Sequence, residues 1–367
     1  MLPITITDHF QINGSVISAE PFGNGLINDT YRITMSCIAG GATESFVLQR
    51  INHRIFTDPI SLMRNVERVC AHIQAKLLLE GVDEAQRRSL ILVPTRTGAH
   101  LYHAPAENNA PESYWRCFHF IDECTSYDVV DTPELAYQAA RQFGEFQRLV
   151  SDLNGARLAE TIPDFHHTPR RLLALQSAVK NDPHRRAASC APEIRFALDH
   201  ESIARKLLNL HQSGLIPERI THNDTKISNV LICNRSQEGI CVVDLDTVMP
   251  GLSLYDFGDL MRTCVSPAPE DTIDLDAIEC RVPMFEAIAV GFLDAMNDVL
   301  TPAERENLAF SGKLITYELG LRFLTDHLLG DTYFHPKYPG HNLDRARSQF
   351  ELVRKIQARE PDMVIQF

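Results

Sequence analysis

Short runs in which apolar and polar residues alternate fill the first third of the chain, whereas later apolar positions recur at helical spacing. The alternating runs predict a five-stranded antiparallel sheet. Its strands are expected at Ile12–Glu20, Thr30–Met35, Ser45–Ile51, Leu90–Val93 and Tyr114–Ile121. One helix interrupts them, with Asp58 as its cap, Pro59 at its first position and Gly81 at its end. The pattern indicates an α+β protein.

Beyond residue 121 the pattern predicts helices almost throughout. Thr132 and Pro133 mark the start of a helix at Glu134–Leu149, and further helices are expected near 169–180 and 199–212. A capping box at Thr301–Glu304 opens a long apolar helical segment that reaches Leu329. We therefore expect two domains, 1–121 with the sheet and one helix and 122–367 mainly helical.

Two short apolar runs in the middle of the chain, Val230–Cys233 and Ile240–Val243, flank six polar residues that end in Gly239. This spacing predicts a β-hairpin. A symmetric turn would place Asn229 opposite Asp244 at the open end of the hairpin.

Asp224 precedes Asn229 by only five residues, so three oxygen-bearing side chains are expected in one small volume. Carboxylate and amide oxygens suit a hard cation such as Mg²⁺, which completes its shell with water and substrate phosphates. Asn229 and Asp244 fit that role. Asp224 is then free to orient a hydroxyl and accept its proton in phosphoryl transfer. The alternative is that all three are ordinary polar residues of turns.

An Asp-Phe-Gly tripeptide begins at Asp256, twelve residues past Asp244 and beyond a Pro-Gly turn. Since no predicted strand brings Asp256 opposite Asn229, the metal is assigned to Asp244. We expect Asp256 to accept hydrogen bonds from buried backbone amides and to stiffen the loop that carries Asp224.

Three charged residues, Glu318, Arg322 and Asp326, recur at four-residue spacing in the apolar segment that ends at Leu329. Buried charge without partners is costly, so we expect these side chains to face a cleft. A row of salt bridges on a solvated helix face is the alternative. The next stretch, 331–338, is rich in aromatic and hydroxyl side chains, which suit either a sugar site or a packed loop.

The charge balance narrows the range of partners. The 367 residues include 35 Lys and Arg against 48 Asp and Glu, a net charge of −13, so nucleic acid and anionic membranes are not expected as partners. The chain starts without a signal-peptide pattern and lacks a membrane-spanning apolar run, which predicts a cytoplasmic protein. Nine cysteines without a Cys-x-x-Cys pair indicate reduced thiols.

The motifs together resemble the aminoglycoside phosphotransferase-like branch of the protein-kinase superfamily, whose catalytic loop has the same order of Asp, Asn, hairpin and Asp. The phrases that carry the resemblance spread over most of the chain: Phe22-Gly-Asn-Gly, Val47-Leu-Gln-Arg-Ile-Asn52, Thr221-His-Asn-Asp-Thr-Lys-Ile-Ser-Asn-Val-Leu231, Val243-Asp-Leu-Asp-Thr-Val-Met-Pro-Gly-Leu-Ser253, Tyr255-Asp-Phe-Gly-Asp259, Leu321-Arg-Phe-Leu-Thr-Asp326 and Gly330-Asp-Thr-Tyr-Phe334. Within this branch they are most similar to the N-acetylhexosamine 1-kinases.

The resemblance implies a two-lobed protein-kinase-like fold, with a nucleotide-binding lobe at 1–121 and a catalytic, sugar-binding lobe at 122–367. It implies transfer of the ATP γ-phosphate, with Mg²⁺, to the anomeric C1 hydroxyl of N-acetylglucosamine or N-acetylgalactosamine. Asp224 would be the base, Asn229 and Asp244 the metal ligands, and Arg322, Asp326 and Tyr333 the sugar contacts. On the nucleotide side, Gly23, Asn24 and Gly25 would cover the phosphates, with a simple hairpin turn as the alternative, and Phe120 and Ile121 would hold adenine at a hinge. Gln49 stands where a strand residue would reach the phosphates, and Glu67 would be its partner on the helix or an ordinary exposed charge.

Gln49 departs from the pattern of protein kinases, which carry a lysine on this strand to pair with a helix glutamate. Arg50 is adjacent, but neighbouring strand residues point to opposite faces. The cationic partner of the γ-phosphate is therefore unnamed, and Mg²⁺ must carry more of the charge neutralisation. The alternatives are a kinase of the same fold for choline, homoserine, an aminoglycoside or a methylthio sugar, and, least favoured, an inactive nucleotide-binding protein.

Overall fold

The computed structural model describes residues 3–23, 27–36, 43–106 and 111–365. Its helices are α1 Pro3–Thr7, α2 Pro59–Leu79, α3 Pro133–Val150, α4 Thr168–Asn181, α5 Ala191–Asp199, α6 Lys206–Gln212, α7 Ser253–Cys264, α8 Val282–Met296, α9 Pro302–Glu306, α10 Leu308–Leu328 and α11 His341–Arg359. Its strands are β1 Ser15–Pro21, β2 Asp29–Ser36, β3 Thr43–Ile51, β4 Tyr102–Ala104, β5 Ser113–His119, β6 Cys124–Thr125, β7 Arg219–Thr221, β8 Val230–Cys233, β9 Gly239–Val242 and β10 Met249–Gly251. None of these helices is long and apolar enough to cross a membrane.

The chain divides into two compact units. The first comprises Met1–Thr125, Asp152–Pro163 and Cys233–Met249, and the second comprises Ser126–Ser151, Asp164–Ile232 and Pro250–Phe367. Asp224 and Asn229 therefore belong to the second unit, whereas Asp244 belongs to the first.

The first unit contains an antiparallel sheet in the order β1-β2-β3-β5-β4. One face is apolar because alternate strand residues point to the same side. This face packs into a core that includes Ile33, Phe46, Leu48, Trp115 and Cys117, together with Ile6 and Phe10 from the start of the chain. The opposite face of β3 and β5 carries the polar side chains of Gln49 and Arg116, which are neighbours in the strand register.

The strand predicted at Leu90–Val93 is wrong. Ile91 and Val93 do run beside β5, where the Ile91 carbonyl accepts from His119 N at 2.9 Å and Val93 N donates to the Cys117 carbonyl at 2.8 Å. Pro94 follows at once and has no N–H to continue the pairing. The fifth strand of the sheet is instead β4 at Tyr102–Ala104.

The predicted helix starts are confirmed by their caps. Asp58 accepts from Ser61 N at 3.0 Å, Thr132 accepts from Leu135 N at 3.3 Å, and Thr301 with Glu304 forms the capping box of α9. The long helix α10 is buried nearly all round, as its uniform apolarity predicts.

Candidate active site

The loop that carries Asp224 follows β7, and side chains of α7 bind its backbone amides. Both carboxylate oxygens of Asp256 accept from this loop, at 2.8 Å from His222 N and 2.7 Å from Asn223 N. Asn223 has a φ of 66°, a left-handed conformation that asparagine adopts more readily than most residues and that these two hydrogen bonds help to keep. The predicted structural role of Asp256 is confirmed.

Further contacts fix the same loop. Asp259 accepts from Thr225 N at 2.9 Å, and the Thr225 hydroxyl donates to the Asp256 carbonyl at 2.6 Å. Gln147 of α3 donates to Asp256 at 2.6 Å. The fully buried ring of His222 packs edge-on against Phe143 and Phe146. The loop is thus tied to two helices, α3 and α7.

The carboxylate of Asp224 is partly exposed and has two polar neighbours in its own loop. Lys226 Nζ lies 3.1 Å from Oδ2, and the Asn229 side chain donates to Oδ2 at 3.1 Å and to the Asp224 carbonyl at 2.8 Å. Burial alone would raise the pKa of Asp224, but the charge of Lys226, the neighbouring His222 and the side-chain hydrogen bonds from Lys226 and Asn229 lower it. Asp224 is therefore ionised at neutral pH and able to accept a proton.

The residues proposed for Mg²⁺ have suitable donor atoms. Because the Asn229 amide nitrogen is committed to Asp224, its amide oxygen is the atom left to bind a hard cation. Asp244 lies just past the end of β9 with a φ of 61°, at the start of a short 3₁₀ turn. Asn229 and Asp244 fit the chemistry of a magnesium site, and their pairing stays a prediction.

The prediction of a symmetric hairpin turn is wrong: Cys233 pairs with Glu238 and not with Ile240, two residues further on. Cys233 N donates to the Glu238 carbonyl at 2.8 Å, and Gln237 N donates to the Cys233 carbonyl at 2.9 Å. Gln237 adopts a φ of 60°, which lets the chain reverse within four residues instead of six. The register argument that set Asn229 opposite Asp244 therefore does not hold in that form.

Gln49 is part of a polar row on the face of the sheet opposite the apolar core. Its amide donates to Thr30 at 3.0 Å, and its amide oxygen accepts from Arg116 Nε at 2.9 Å. Arg116, which is 1% exposed, forms an ion pair with Asp246. Arg50 points to the other side and pairs with Asp29, as strand alternation predicts.

Four other residues predicted to contact the nucleotide, Gly23, Phe120, Ile121 and Glu67, lie in the first unit. Gly23 has a φ of 78° with open space around its α-carbon, so its conformation requires glycine. Asn24 and Gly25 lie outside the described residues. The ring of Phe120 packs against Phe22 and under Arg32, and Phe120 and Ile121 line a cavity of about 150 Å³. Glu67 lies 3.3 Å from His100.

Arg322 lies among three aromatic rings of the second unit. Its guanidinium is 5.0 Å from the ring centre of Phe165, 5.8 Å from that of Tyr333 and 5.4 Å from that of Phe334. Arg171 is close enough that burial and the charge of Arg322 lower its pKa. This cluster of Arg171, Arg322 and three rings is a positively charged aromatic surface.

The expectation that Glu318 and Asp326 face a cleft is wrong, because both are buried. Asp326 accepts from the backbone amides of Thr332, Tyr333 and Phe334 at 2.8 to 2.9 Å and from the Asn342 side chain at 3.1 Å. These contacts fix the loop that presents Tyr333, whose side chain is exposed. A direct sugar contact of Asp326 stays a prediction.

His166 supports the site but was missed by sequence reasoning. Its Nδ1 lies 2.8 Å from Glu318, and its Nε2 lies 3.1 Å from the Asn223 carbonyl, so it links α10 to the loop that carries Asp224. Thr168 donates to the other Glu318 oxygen at 2.6 Å. No motif marks His166, because its partners lie 57 and 152 residues away.

Comparisons with known proteins agree with this architecture. The model of the phosphotransferase enzyme family matches residues 18–279. A microcompartment-associated aminopropanol kinase is 13% identical with a TM-score of 0.58 and covers 99% of both chains. An aminoglycoside phosphotransferase from Alicyclobacillus acidocaldarius is 13% identical with a TM-score of 0.59, covering 99% of this chain and 95% of that one. A choline kinase from Cryptosporidium parvum is 12% identical with a TM-score of 0.55, covering 98% of this chain and 95% of that one.

These structures confirm the predicted kinase-like fold, a five-stranded antiparallel N-terminal sheet followed by a mainly helical C-terminal part. At such low identity they bear on the fold alone. The family match extends over well more than half of the sequence. The chain belongs to the phosphotransferase enzyme family.

Proposed function

We propose that this protein transfers the γ-phosphate of ATP, with Mg²⁺, to the anomeric C1 hydroxyl of N-acetylglucosamine or N-acetylgalactosamine. Membership of the phosphotransferase enzyme family supports phosphoryl transfer. The observation that carries the proposal is the Asp224 carboxylate, held beside Lys226 and Asn229 on a loop whose amides bind Asp256. The choice of sugar and of C1 rests on the resemblance of the loop sequences.

In this proposal Asp224 accepts the proton of the acceptor hydroxyl as the phosphoryl group is transferred. Its lowered pKa keeps it ionised, and the anomeric hydroxyl is more acidic than an ordinary alcohol because of the adjacent ring oxygen. Lys226 supplies a positive charge next to the base. Mg²⁺, held by Asn229 and Asp244, would neutralise charge on the phosphates.

The positively charged aromatic surface favours a neutral acceptor. Arg322 already occupies the faces of Phe165, Tyr333 and Phe334, the rings that would otherwise bind a quaternary amine. Arg171 adds a second positive charge. A sugar hydroxyl or an acetamido carbonyl can accept hydrogen bonds from guanidinium groups, whereas choline or an aminoglycoside would be repelled.

A screen of ADP release tests the proposal. Purified protein with ATP and Mg²⁺ should release ADP with N-acetylglucosamine or N-acetylgalactosamine well above the rate with glucose, choline, homoserine or an aminoglycoside. Phosphorus NMR of the product should show a phosphate on C1. Release with choline alone, or a phosphate on C6, would contradict the assigned acceptor.

Replacement of Asp224 by Asn should lower kcat by about 10²–10⁴-fold, the usual contribution of a positioned base. The affinity for ATP should change little, because the amide keeps the shape of the side chain. Steady-state kinetics and nucleotide titration measure the two effects. Asp294→Asn, a change to a carboxylate that bonds the Tyr137 hydroxyl, is the matched control and should keep full activity. Near-normal turnover of Asp224→Asn would refute the assigned base.

A further inference from the structure

We propose that the buried ion pair between Arg116 and Asp246 positions the segment that begins at Asp244, and so sets the affinity of the protein for its divalent cation. The inference rests on the proposed function, in which Asp244 is a metal ligand. It gives Arg116 the role of a positioning residue, since it is buried and would not itself touch the phosphates.

The pair sits at one end of a continuous chain of hydrogen bonds across the sheet. Thr30, Gln49 and Arg116 lie side by side on β2, β3 and β5 in the strand register. Thr30 accepts from the Gln49 amide at 3.0 Å, and Gln49 accepts from Arg116 Nε at 2.9 Å. The guanidinium is thereby oriented with its NH1 towards Asp246.

The side chain of Asp246 has a second donor. Asn28 donates to its Oδ2 at 2.6 Å, and the Asn28 side-chain oxygen in turn accepts from Asn52 N at 3.0 Å. The side chains of Arg116 and Asp246 are 1% and 3% exposed. A buried ion pair is tolerable only when further hydrogen bonds support its partners; here Gln49 accepts one from Arg116 and Asn28 donates one to Asp246.

The segment that begins at Asp244 has a further anchor at Val248, two residues past Asp246. Asn65 of α2 is buried and donates to the Val248 carbonyl at 3.1 Å. The same side chain donates to the Ala159 carbonyl at 2.8 Å and accepts from Ala159 N at 3.0 Å. The stretch that follows Asp244 is therefore fixed by side chains from β5, the β1–β2 turn and α2.

This anchoring matters because Asp244 adopts a left-handed backbone conformation, with a φ of 61°. Asp adopts this conformation more readily than most residues, but it is still less favourable than a right-handed or extended backbone, so neighbouring contacts help to keep it. Asp246 lies two residues further on, so loss of its partner frees the turn 245–247 and with it the direction of the Asp244 carboxylate. Groups hydrogen-bonded directly to a metal ligand typically contribute 10–100-fold to metal affinity, and for an anchor two residues along the backbone we expect the lower end of that range.

The test compares wild type with Arg116→Met, Arg116→Lys and the double variant Arg116→Met/Asp246→Leu. The double variant removes both charges, so neither is left buried without a partner and the fold is expected to survive. Binding of Mn²⁺ in the presence of a non-hydrolysable ATP analogue is followed by electron paramagnetic resonance. Urea unfolding reports stability separately.

We expect the double variant to unfold cooperatively and to bind Mn²⁺ with the analogue about tenfold more weakly or worse. Arg116→Lys should recover part of the affinity, because it keeps the charge but cannot bond Gln49 and Asp246 together. The Mg²⁺ concentration for half-maximal activity should rise in parallel, with the KM for the acceptor unchanged.

Lys313→Met is the matched control. It removes a buried cation that is paired with Glu360 far from this segment in sequence, and it should affect stability without weakening Mn²⁺ binding. A folded double variant that binds Mn²⁺ within twofold of wild type would overturn the inference. If wild type binds Mn²⁺ with the analogue but phosphorylates none of the acceptors, the proposed acceptor is wrong, and the Mn²⁺ affinities of the Arg116 and Asp246 variants still decide the inference.

Discussion

Position 49 illustrates how one side chain can change the use of a strand. In protein kinases a lysine on this strand reaches the phosphates, whereas here a glutamine bridges Thr30 and Arg116. The positive charge lies instead on β5, the neighbouring strand in the sheet, where Arg116 forms an ion pair with Asp246. Because this cation is buried, the proposed function leaves neutralisation of the γ-phosphate to Mg²⁺.

Replacing Gln49 by Lys should not increase the rate. The new ammonium group would lie against the Arg116 guanidinium and could not donate and accept as the amide does, so we expect a loss of about 1–3 kcal/mol in unfolding free energy. Gln49→Glu is the matched variant, since its carboxylate can still accept from Arg116, and it should be the more stable of the two. Urea unfolding and steady-state kinetics check both. A Gln49→Lys protein as stable as wild type and faster would show that the site still uses a strand lysine.

At the scale of the elements, two helices fix the conformation of the loop that carries Asp224. Helix α7 supplies Asp256 and Asp259, and α3 supplies Gln147 to Asp256. Helix α3 in turn packs closely on α8, where Gly291 lies against the backbone of Tyr137. A side chain at Gly291 would push α8 away from α3, the helix that carries Gln147.

Gly291→Ala should therefore destabilise the protein. In an open helix position this change would stabilise by about 1 kcal/mol, because glycine is a poor helix former. Here the added methyl group would overlap the Tyr137 carbonyl, and overpacking of this kind costs about 1–3 kcal/mol. Chemical denaturation shows whether Gly291→Ala lowers or raises the unfolding free energy. Val290→Ala, an exposed neighbour on the same helix, should stay within about 0.5 kcal/mol, and a stabilised Gly291→Ala protein would show that the helices can separate freely.

At the scale of the whole molecule, one buried pair gives stability a definite dependence on pH. Burial alone would lower the pKa of His166, but the charge and hydrogen bond of Glu318 raise it. Burial would likewise raise the pKa of Glu318, but His166 and Thr168 lower it. The stabilisation from His166 is complete below its unfolded pKa and is lost as the pH rises through its folded pKa. That from Glu318 is complete above its unfolded pKa and is lost as the pH falls through its folded pKa.

The pair should therefore contribute most between the unfolded pKa values of about 4.3 and about 6.5. In this window Glu318→Gln should lower the unfolding free energy by about 3–5 kcal/mol, since a buried pair loses one partner. Urea titrations from pH 4 to pH 8.5 should show the difference from wild type shrinking at both ends. Glu351→Gln, which removes a partner of the half-exposed Arg354, should give a small and flat difference. A flat difference for Glu318→Gln would mean that His166 stays neutral.

The parts of the molecule that the sequence could predict are those with local signals. Asp58, Thr132 and Thr301 mark helix starts through contacts three residues away, and the loop from His222 to Asn229 is recognisable as a motif. Arg116 could not be assigned, because its partner Asp246 is 130 residues away in the chain and strand alternation does not reveal a buried charge. The turn at Gln237 was misread because a left-handed residue other than glycine leaves little trace in composition.

The Asp-Phe-Gly tripeptide has a last consequence. In protein kinases the packing of its phenylalanine distinguishes active from inactive forms. Here Phe257 is fully buried in the middle of α7, with Phe285 and Phe292 packed edge-on against it. Turning this ring outward would require unwinding α7, which also binds the loop that carries Asp224. An inhibitor that acts by displacing this phenylalanine should therefore find no second conformation to capture, and selective compounds would have to recognise other surfaces.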